Sequence, residues 1–224
     1  MKNIKAIIFD AYGTLFDVNS AAKKCKKKIG DKWEAFSSYW RTTQLEYTWL
    51  RSLMKRHKDF WKVTEDSLDK SMIVFKIDRS MKNELLNLYK VLSTYEEVHE
   101  TLKILKQKQY KLAILSNGTS DLLNNLVVSN KLDNLFDDIF SIEEVGIYKP
   151  DPKVYEIPVV KYNISKSEIT FLSANTWDVS AGGNFGYNAI WVNRNNNTFD
   201  NLDFIPKKQI KSLKGILDII NQKN

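Results

Sequence analysis

Three groups of polar side chains in this sequence follow directly after short apolar stretches. This arrangement is typical of a catalytic or binding site. Short apolar stretches of this kind are typical of buried parallel strands. Because ligands bind beyond the carboxyl ends of such strands, we expect the three groups to meet at one site. In chain order they are Asp10, the pair Ser116 and Asn117, and the stretch from Ser173 to Asp178.

Asp10 is the candidate for the reacting group. It follows the apolar run Ala6–Phe9 and precedes the turn Ala11–Thr14, in which Gly13 permits a tight loop. A carboxylate at a strand end, near exposed loop amides, can act as a nucleophile, a base or a metal ligand. The residue types do not decide between these roles. A purely structural alternative is that Asp10 caps a helix or a turn.

Strands and helices must alternate along the chain to bring these groups together. A doubly wound parallel sheet, the α/β class, is what such alternation predicts. Besides the first strand, strands are predicted at 111–115, 138–141, 169–172 and 189–192, and helices at 98–108, 119–129, 151–162 and, capped by Ser212, around 213–220.

Residues 18–94 have a different pattern, because glycine is nearly absent there and proline is absent. Leu45, Trp49 and Leu53 recur at a four-residue spacing, as on one face of a helix. The stretch predicts three to five helices and no strands, inserted into the α/β core as an all-helical cap. The predicted core is residues 1–16 and 97–224, and the predicted cap is residues 17–96.

Composition narrows the classes of function. The chain of 224 residues carries a net charge of +7, with a lysine-rich run at residues 23–28. Neither zinc-ligand spacing nor a basic–aromatic motif accompanies that run, so we predict a solvated surface rather than nucleic-acid binding. No apolar run approaches the roughly 20 residues of a membrane helix. The short N-terminal apolar run ends at an acid, so neither a signal peptide nor a membrane partner is expected.

Cys25 is the only cysteine, which fits a reducing cytoplasm and excludes an intrachain disulfide. We predict a bystander on a helix surface. The alternative is a catalytic thiol whose pKa the neighbouring lysines lower, and its basic partner would have to be His57 or His99.

Four motifs resemble those of the haloacid dehalogenase superfamily. They occur in the same order as in that superfamily, and the helical insertion lies where the superfamily places its cap. The resemblance therefore covers essentially the whole chain. The motifs are Asp10 to Asp17, Ser116-Asn117-Gly118, Lys149-Pro150-Asp151-Pro152, and Asp178 with Gly186.

Most members of that superfamily are phosphohydrolases that use magnesium. They carry a second aspartate two residues after the nucleophile, where this chain has Tyr12, and a metal-binding aspartate where this chain has Ala174. Mg²⁺ prefers hard oxygen ligands in an octahedral arrangement. We therefore expect no metal ion and no other cofactor, with a phosphatase acting on a small phosphorylated metabolite as the alternative. A non-catalytic binding protein is a further alternative.

Two segments resemble the (S)-2-haloacid dehalogenases in particular. They are Tyr39–Met54, which departs from the family at Thr42, and Ser173–Asp178, which departs at Ala174. The resemblance implies that Asp10 displaces halide from a small anionic (S)-2-haloacid, and that water hydrolyses the resulting ester to an (R)-2-hydroxy acid. It also implies a homodimer.

The same resemblance implies a role for each site residue. Asp178 is expected to activate the water, and Arg41 with Asn117, Trp177 and Phe60 to hold the halide. The substrate carboxylate is assigned to Ser116, Lys149 and the amides of Ala11 and Tyr12. The implied catalytic residues are Asp10, Thr14, Arg41, Lys149, Tyr155, Ser173, Asn175 and Asp178, and the implied substrate- or halide-binding residues are Ala11, Tyr12, Arg41, Leu45, Phe60, Ser116, Asn117 and Trp177.

Structural alternatives exist for five of these residues. If it has no catalytic role, Arg41 is expected to form a surface ion pair and Tyr155 to lie in the core. If they do not contact the halide, Phe60 and Trp177 are expected to be packing residues. Leu45 lines either the pocket or the core of the cap, and the sequence does not decide between the two.

Overall fold

A computed structural model describes residues 3–221, and one parallel sheet forms its centre. Within that range six strands lie in the order β3-β2-β1-β4-β5-β6, and each neighbouring pair is parallel. The α/β class predicted from the sequence is thereby confirmed. The strands are β1 (Ala6–Phe9), β2 (Lys111–Ser116), β3 (Asp138–Ser141), β4 (Ile169–Ser173), β5 (Asn188–Val192) and β6 (Lys208–Ile210).

The edge strand β6 was absent from the sequence-based prediction. Lys208 and Gln209 are exposed and only Ile210 is buried. An edge strand of three residues with one buried side chain has no apolar run to reveal it. Its pairing with β5 supplies the structure that its own residues do not specify.

The segment between β1 and β2 is helical, as predicted. All of its residues are described. Its two long helices, α3 and α4, pack together through Phe36 and Phe75, and the indole of Trp40 donates to the carbonyl of Thr64 at 3.1 Å. The helices are α1 (Ser20–Lys24), α2 (Lys26–Ile29), α3 (Trp33–Leu53), α4 (Phe60–Phe75) and α5 (Lys82–Tyr89), with a 3-10 turn at Arg79–Met81.

The remaining helices connect the strands of the sheet. Thr119 caps the amino end of α7, and Asp151 caps α8 ahead of Pro152 in its first turn, which is the placement that proline tolerates. In the described part of the chain, no helix has both the length and the apolarity that a membrane crossing needs. These helices are α6 (Val98–Gln107), α7 (Ser120–Ser129), α8 (Pro152–Tyr162), α9 (Thr176–Phe185) and α10 (Gly215–Asn221).

Two local predictions were wrong. Cys25 is buried between α1 and α2 rather than exposed, and its burial, together with the charge of Glu84, raises the pKa of its thiol despite the neighbouring lysines. The spacing of Leu45, Trp49 and Leu53 correctly predicted a helix, although Leu53 is 80% exposed. The last helix begins at Gly215, whose amide donates to the carbonyl of Ser212 instead of following a Ser212 cap.

Candidate active site

The carboxyl ends of three adjacent strands bring the three polar groups together. Phe9 is in register with Ile114 of β2 and with Leu172 of β4, so each strand ends at the same level. The amide of Asp10 continues the ladder by donating to the carbonyl of Leu172 at 2.9 Å. The convergence expected from the sequence therefore exists, and its centre is the buried carboxylate of Asp10.

The two oxygens of the Asp10 carboxylate have different surroundings. Oδ2 accepts from Thr14 Oγ1 at 3.0 Å, from Asn175 Nδ2 at 2.8 Å and, at the longer distance of 3.4 Å, from Ser173 Oγ. Oδ1 accepts from Lys149 Nζ at 3.2 Å, the one donor to this oxygen among residues 3–221. With three donors on Oδ2, the carboxylate is held in one orientation, and Oδ1 is the oxygen with lone pairs to spare.

Local sequence explains how the donors reach Oδ2. Gly13 has a φ of +89°, which L side chains rarely adopt, and this turn brings Thr14 back over Asp10. Thr14 Oγ1 also accepts from the amide of Ala174 at 2.8 Å, which ties the first loop to the loop after β4. Asn175 lies at the N-cap position of α9 but does not cap the helix with its side chain, because its amide donates to Asp10 instead.

Lys149 joins two buried carboxylates. Its Nζ lies 3.2 Å from Asp10 Oδ1 and 3.0 Å from Asp178 Oδ2, and only 1% of its side chain is exposed. Its backbone amide donates to Asn117 Oδ1 at 3.0 Å, which fixes the start of the side chain. A buried ammonium flanked by two carboxylates offsets their mutual repulsion, so both can be charged at this short separation.

Asp178 is fully buried in the first turn of α9, where the helix dipole favours a negative charge. The pKa of its carboxyl is raised to about 6, chiefly by burial and also by the charge of Asp10, while Lys149 and the Tyr155 hydroxyl act in the opposite direction. Tyr155 donates to Asp178 Oδ1 at 2.6 Å, and burial keeps the pKa of this phenol well above its ordinary value. A carboxylate with a pKa near neutrality is suited to take a proton from water.

These residues do not fit the magnesium site of the phosphohydrolases. The ammonium of Lys149 lies between the two carboxylates, and position 174 is an alanine, which has no ligand oxygen in its side chain. Among residues 3–221, no group of three His, Cys, Asp or Glu side chains is arranged to hold a metal ion. The donor set is that of a cation-bridged carboxylate pair rather than of an octahedral oxygen site.

The cap contributes a cation and an aromatic wall. Arg41 on α3 donates from Nη2 to the carbonyl of Tyr12 at 3.4 Å and from Nη1 to Gln44 Oε1 at 2.9 Å, so it is not a surface ion-pair residue. The guanidinium lies 6.0 Å from the centre of the Tyr12 ring. The ring of Phe60 is buried and packs against Tyr12 at 5.1 Å between centroids.

The other residues expected at the site occupy supporting or peripheral positions. Ser116 is buried and its Oγ accepts from the amide of Gly118. Ala11 closes the first turn with its carbonyl, which accepts from the amides of Leu15 and Phe16. Leu45 is half-buried on α3. The hydroxyl of Thr48 donates to the carbonyl of Leu45 at 2.6 Å, and the choice between the pocket and the core of the cap stays a prediction.

Trp177 lies further from the centre. Its ring packs edge-on against Trp49 at 5.5 Å, and both rings line a cavity of about 390 Å³ that also reaches Lys149. Among the described contacts, the indole of Trp177 and the side-chain amide nitrogen of Asn117 make none with Arg41. Their assignment to the halide stays a prediction.

Sequence reasoning missed two residues that hold the site in place. Gln44 is the partner of Arg41 in the cap. Arg194 donates to the carbonyl of Thr14 at 2.9 Å and to that of Gly13 at 3.3 Å. Arg194 follows β5, so the rule that located the other groups, a polar residue just after an apolar strand, also applied to it.

The sheet order, the inserted helices and the aspartate at the end of β1 define a class of hydrolase. A family model described as haloacid dehalogenase-like hydrolase matches residues 4–186. The chain belongs to this family, and within it to the (S)-2-haloacid dehalogenases, as three relatives indicate.

The relatives cover nearly the whole chain. (S)-2-haloacid dehalogenase 1 of Pseudomonas sp. strain CBS-3 is 40% identical over 223 residues, which are 98% of this chain and 98% of the relative. The crystal structure of a dehalogenase, 37% identical, superposes with a TM-score of 0.95 and covers 98% of both chains. L-2-haloacid dehalogenase of Xanthobacter autotrophicus, solved with chloropropionic acid covalently bound, is 29% identical and has a TM-score of 0.91, covering 99% of this chain and 100% of its own.

Proposed function

We propose that this chain hydrolyses (S)-2-haloacids to (R)-2-hydroxy acids and halide, through an ester on Asp10 and without a metal ion. The observation that carries the proposal is the asymmetry of the Asp10 carboxylate. Oδ2 is held by Thr14, Asn175 and Ser173, whereas the single donor to Oδ1 in the described part of the chain is the Lys149 ammonium. Such an arrangement suits Oδ1 for attack on carbon.

In the first step, Asp10 Oδ1 attacks the carbon that bears the halogen from the side opposite the halogen. The carbon–oxygen bond forms as the carbon–halogen bond breaks, and the electron pair leaves with the halide. Displacement from the rear inverts the carbon, so an (S) substrate gives an (R) product. Arg41 offers a fixed cation with several N–H donors to the departing halide.

In the second step, water attacks the carboxyl carbon of the ester. Asp178 accepts a proton from this water, and negative charge develops on Oδ2, where Thr14, Asn175 and Ser173 already donate. Lys149, 3.2 Å from Oδ1, supplies a proton to the departing alkoxide and regains one from Asp178 at 3.0 Å. The water's second proton passes to solvent, and the Asp10 carboxylate is restored.

We also propose that the chain divides into a core of residues 1–16 and 97–224 and a cap of residues 17–96, with the site between the two. Its support is that Arg41, from α3, reaches the carbonyl of Tyr12, which follows β1. Substrate selection then depends on how these two parts fit together.

Halide release tests the function. We expect the enzyme to release chloride from (S)-2-chloropropionate, with the rate unchanged by EDTA, and to leave the (R) enantiomer intact. Asp10→Asn removes the nucleophile and should lower the rate by at least about 10⁴-fold, as loss of a nucleophile typically does. Asp137→Asn, which alters an aspartate paired with Lys106 at the surface, is the control.

Two results would overturn the proposal. One is an Asp10→Asn protein that dehalogenates as fast as the parent, and the other is hydrolysis of p-nitrophenyl phosphate that EDTA abolishes and magnesium restores. The ester itself is tested by a single turnover with excess enzyme in ¹⁸O-water. The product hydroxyl should then carry unlabelled oxygen from Asp10, and label in that hydroxyl would mean direct attack by water.

A further inference from the structure

The side-chain amide of Gln44 contacts the cation expected to hold the leaving halide. Gln44 lies one turn beyond Arg41 on α3, and the residue is 1% exposed. Its Oε1 accepts from Arg41 Nη1 at 2.9 Å. Burying an amide is costly unless each of its polar atoms is paired, so its partners show what holds it there.

The orientation of this amide follows from which partner donates in each hydrogen bond. Thr64 Oγ1 has one proton and donates it to the carbonyl of Phe60 at 2.7 Å. Towards Gln44, at 2.7 Å, the Thr64 hydroxyl must therefore accept, and the atom facing it must be the amide nitrogen. The amide oxygen is left facing Arg41, as the guanidinium requires.

Tyr89 completes the cluster. Its hydroxyl lies 3.0 Å from the amide nitrogen of Gln44 and 3.2 Å from the amide oxygen, to which it donates. The cavity beside these groups measures about 10 Å³, space for one water at most. The surroundings therefore leave Gln44 little freedom to turn.

The second contact of Arg41 ties the same cation to the nucleophile. Nη2 donates to the carbonyl of Tyr12, which also accepts from Asn175 Nδ2 at 3.2 Å. Asn175 in turn donates to Asp10 Oδ2. The guanidinium is thus held between a buried amide of the cap and a carbonyl that shares a donor with the reacting carboxylate.

We propose that Gln44 is a positioning residue for the leaving halide, which aims the guanidinium of Arg41 by means of Thr64 and Tyr89. This inference rests on the proposed function. With the amide in place, the guanidinium is held by Gln44, by the Tyr12 carbonyl and by the Tyr89 hydroxyl. Without it, the guanidinium loses its contact on Nη1, and its N–H donors face the halide in a less fixed direction.

The leaving group distinguishes this role from simple support of the fold. Chloride leaves carbon less readily than bromide, so chloride release depends more on stabilisation by Arg41. Gln44→Leu should lower kcat/KM for (S)-2-chloropropionate by about 10- to 100-fold, in the range typical of a misplaced catalytic donor. The loss for (S)-2-bromopropionate should be smaller, so the bromide-to-chloride ratio should rise at least about threefold.

Two further variants keep the test decisive. Tyr89→Phe removes one hydroxyl and keeps the ring, so it should fold and move the ratio in the same direction by a smaller factor. Thr48→Ala is the matched control, because Thr48 is buried on the same helix and its hydroxyl donates to the Leu45 carbonyl at 2.6 Å rather than to the cluster around Arg41. It should leave the ratio at the parental value.

The outcomes separate the two proposals. A parent enzyme that releases no halide contradicts the proposed function. An active parent whose bromide-to-chloride ratio is unchanged in both Gln44→Leu and Tyr89→Phe contradicts the positioning role, even where both rates fall together. A ratio that Thr48→Ala changes as much as Gln44→Leu does would also overturn it.

Discussion

At the scale of single residues, the surroundings of Asp178 determine the pKa of its carboxyl and therefore its ability to act as a base. Its side chain is buried, and Lys149 and Tyr155 donate to its two oxygens. Burial raises its pKa to about 6, and these two donors hold it from rising further. The proposed hydrolysis needs the charged form, because only a carboxylate can accept the proton of the attacking water.

This pKa predicts how activity depends on pH. Activity should fall as the pH drops below about 6, because protonated Asp178 accepts no proton from water. Tyr155→Phe removes a hydrogen bond to the charged form, so the pKa should rise and the acidic limb should move up by about one unit. The measurement is kcat for halide release between pH 4 and pH 9, limits chosen to span about 2 units or more on each side of the limb.

Tyr162→Phe is the matched control for that experiment. Tyr162 lies at the end of the same helix, α8, and donates to Asp138 at 2.7 Å, so the variant removes an equivalent tyrosine–aspartate bond outside the site. Its acidic limb should coincide with that of the parent. An unshifted limb in Tyr155→Phe would show that another group controls the acidic side.

At the scale of elements, Arg194 joins segments that the chain keeps far apart. It follows β5, and its guanidinium bonds the carbonyls of Gly13 and Thr14, which follow β1. It also pairs with Glu97 at 2.8 Å, just before α6, and lies 3.8 Å above the ring of Tyr95. In the proposed division the chain leaves the core after residue 16 and returns to it at Glu97, so Arg194 contacts the chain beside both crossings.

We therefore expect Arg194→Met to affect both stability and rate. Loss of hydrogen bonds to a charged group should lower the free energy of unfolding by about 2 kcal/mol. Thr14 would lose its backbone anchor, so kcat for halide release should fall about 10-fold as Asp10 loses its fixed orientation. Urea denaturation and halide release, measured on the same preparation, give the two quantities.

Arg51→Met is the comparison for this variant. Arg51 pairs with Asp66 at 2.8 Å within the cap, and both side chains are only partly exposed. This change should cost stability with kcat near that of the parent. Equal loss of kcat in the two variants would contradict a specific role for Arg194 at the crossing.

At the scale of the whole molecule, the surface carries a basic segment at residues 23–28 and a separate apolar patch at the end of α3. The lysine run at 23–28 is solvated, and its one described ion pair joins Lys28 to Glu84. Leu50, Leu53 and Met54 form an exposed apolar patch at the end of α3, beside the cavity of about 390 Å³. Contiguous apolar surface of this kind is typical of protein contacts, and we propose that a second copy of the chain covers it.

Sedimentation equilibrium tests that assembly. The parent should be a dimer at micromolar concentration, and Leu53→Lys should dissociate it by burying an unpaired charge in the contact. Val160→Lys, at an exposed valine on α8, is the matched control and should remain dimeric. A monomeric parent, or a Leu53→Lys protein as dimeric as the parent, would contradict the proposal. The dimer and a cytoplasmic location both remain predictions.

Sequence patterns predicted most of the fold. Short apolar runs located five strands, but β6 escaped because only Ile210 of its three residues is buried. The sequence did not show that Leu53 is exposed or that Cys25 is buried. A helical spacing shows which residues share a face, but it does not show which of them another element packs against. The motifs pointed to Asp10, Lys149 and Asp178.

The sequence by itself determined the α/β class and the helical insertion, and it pointed to Asp10 as the carboxylate that we propose to react. These depend on periodicity and on residue type, which are properties of neighbours along the chain. Only the tertiary structure decided that Asp10 Oδ2 carries three donors, that Lys149 joins two carboxylates, and that Gln44 and Arg194 hold the site. Those contacts join residues distant in sequence or depend on which atom of a side chain faces which partner, and no one-dimensional pattern records such directions.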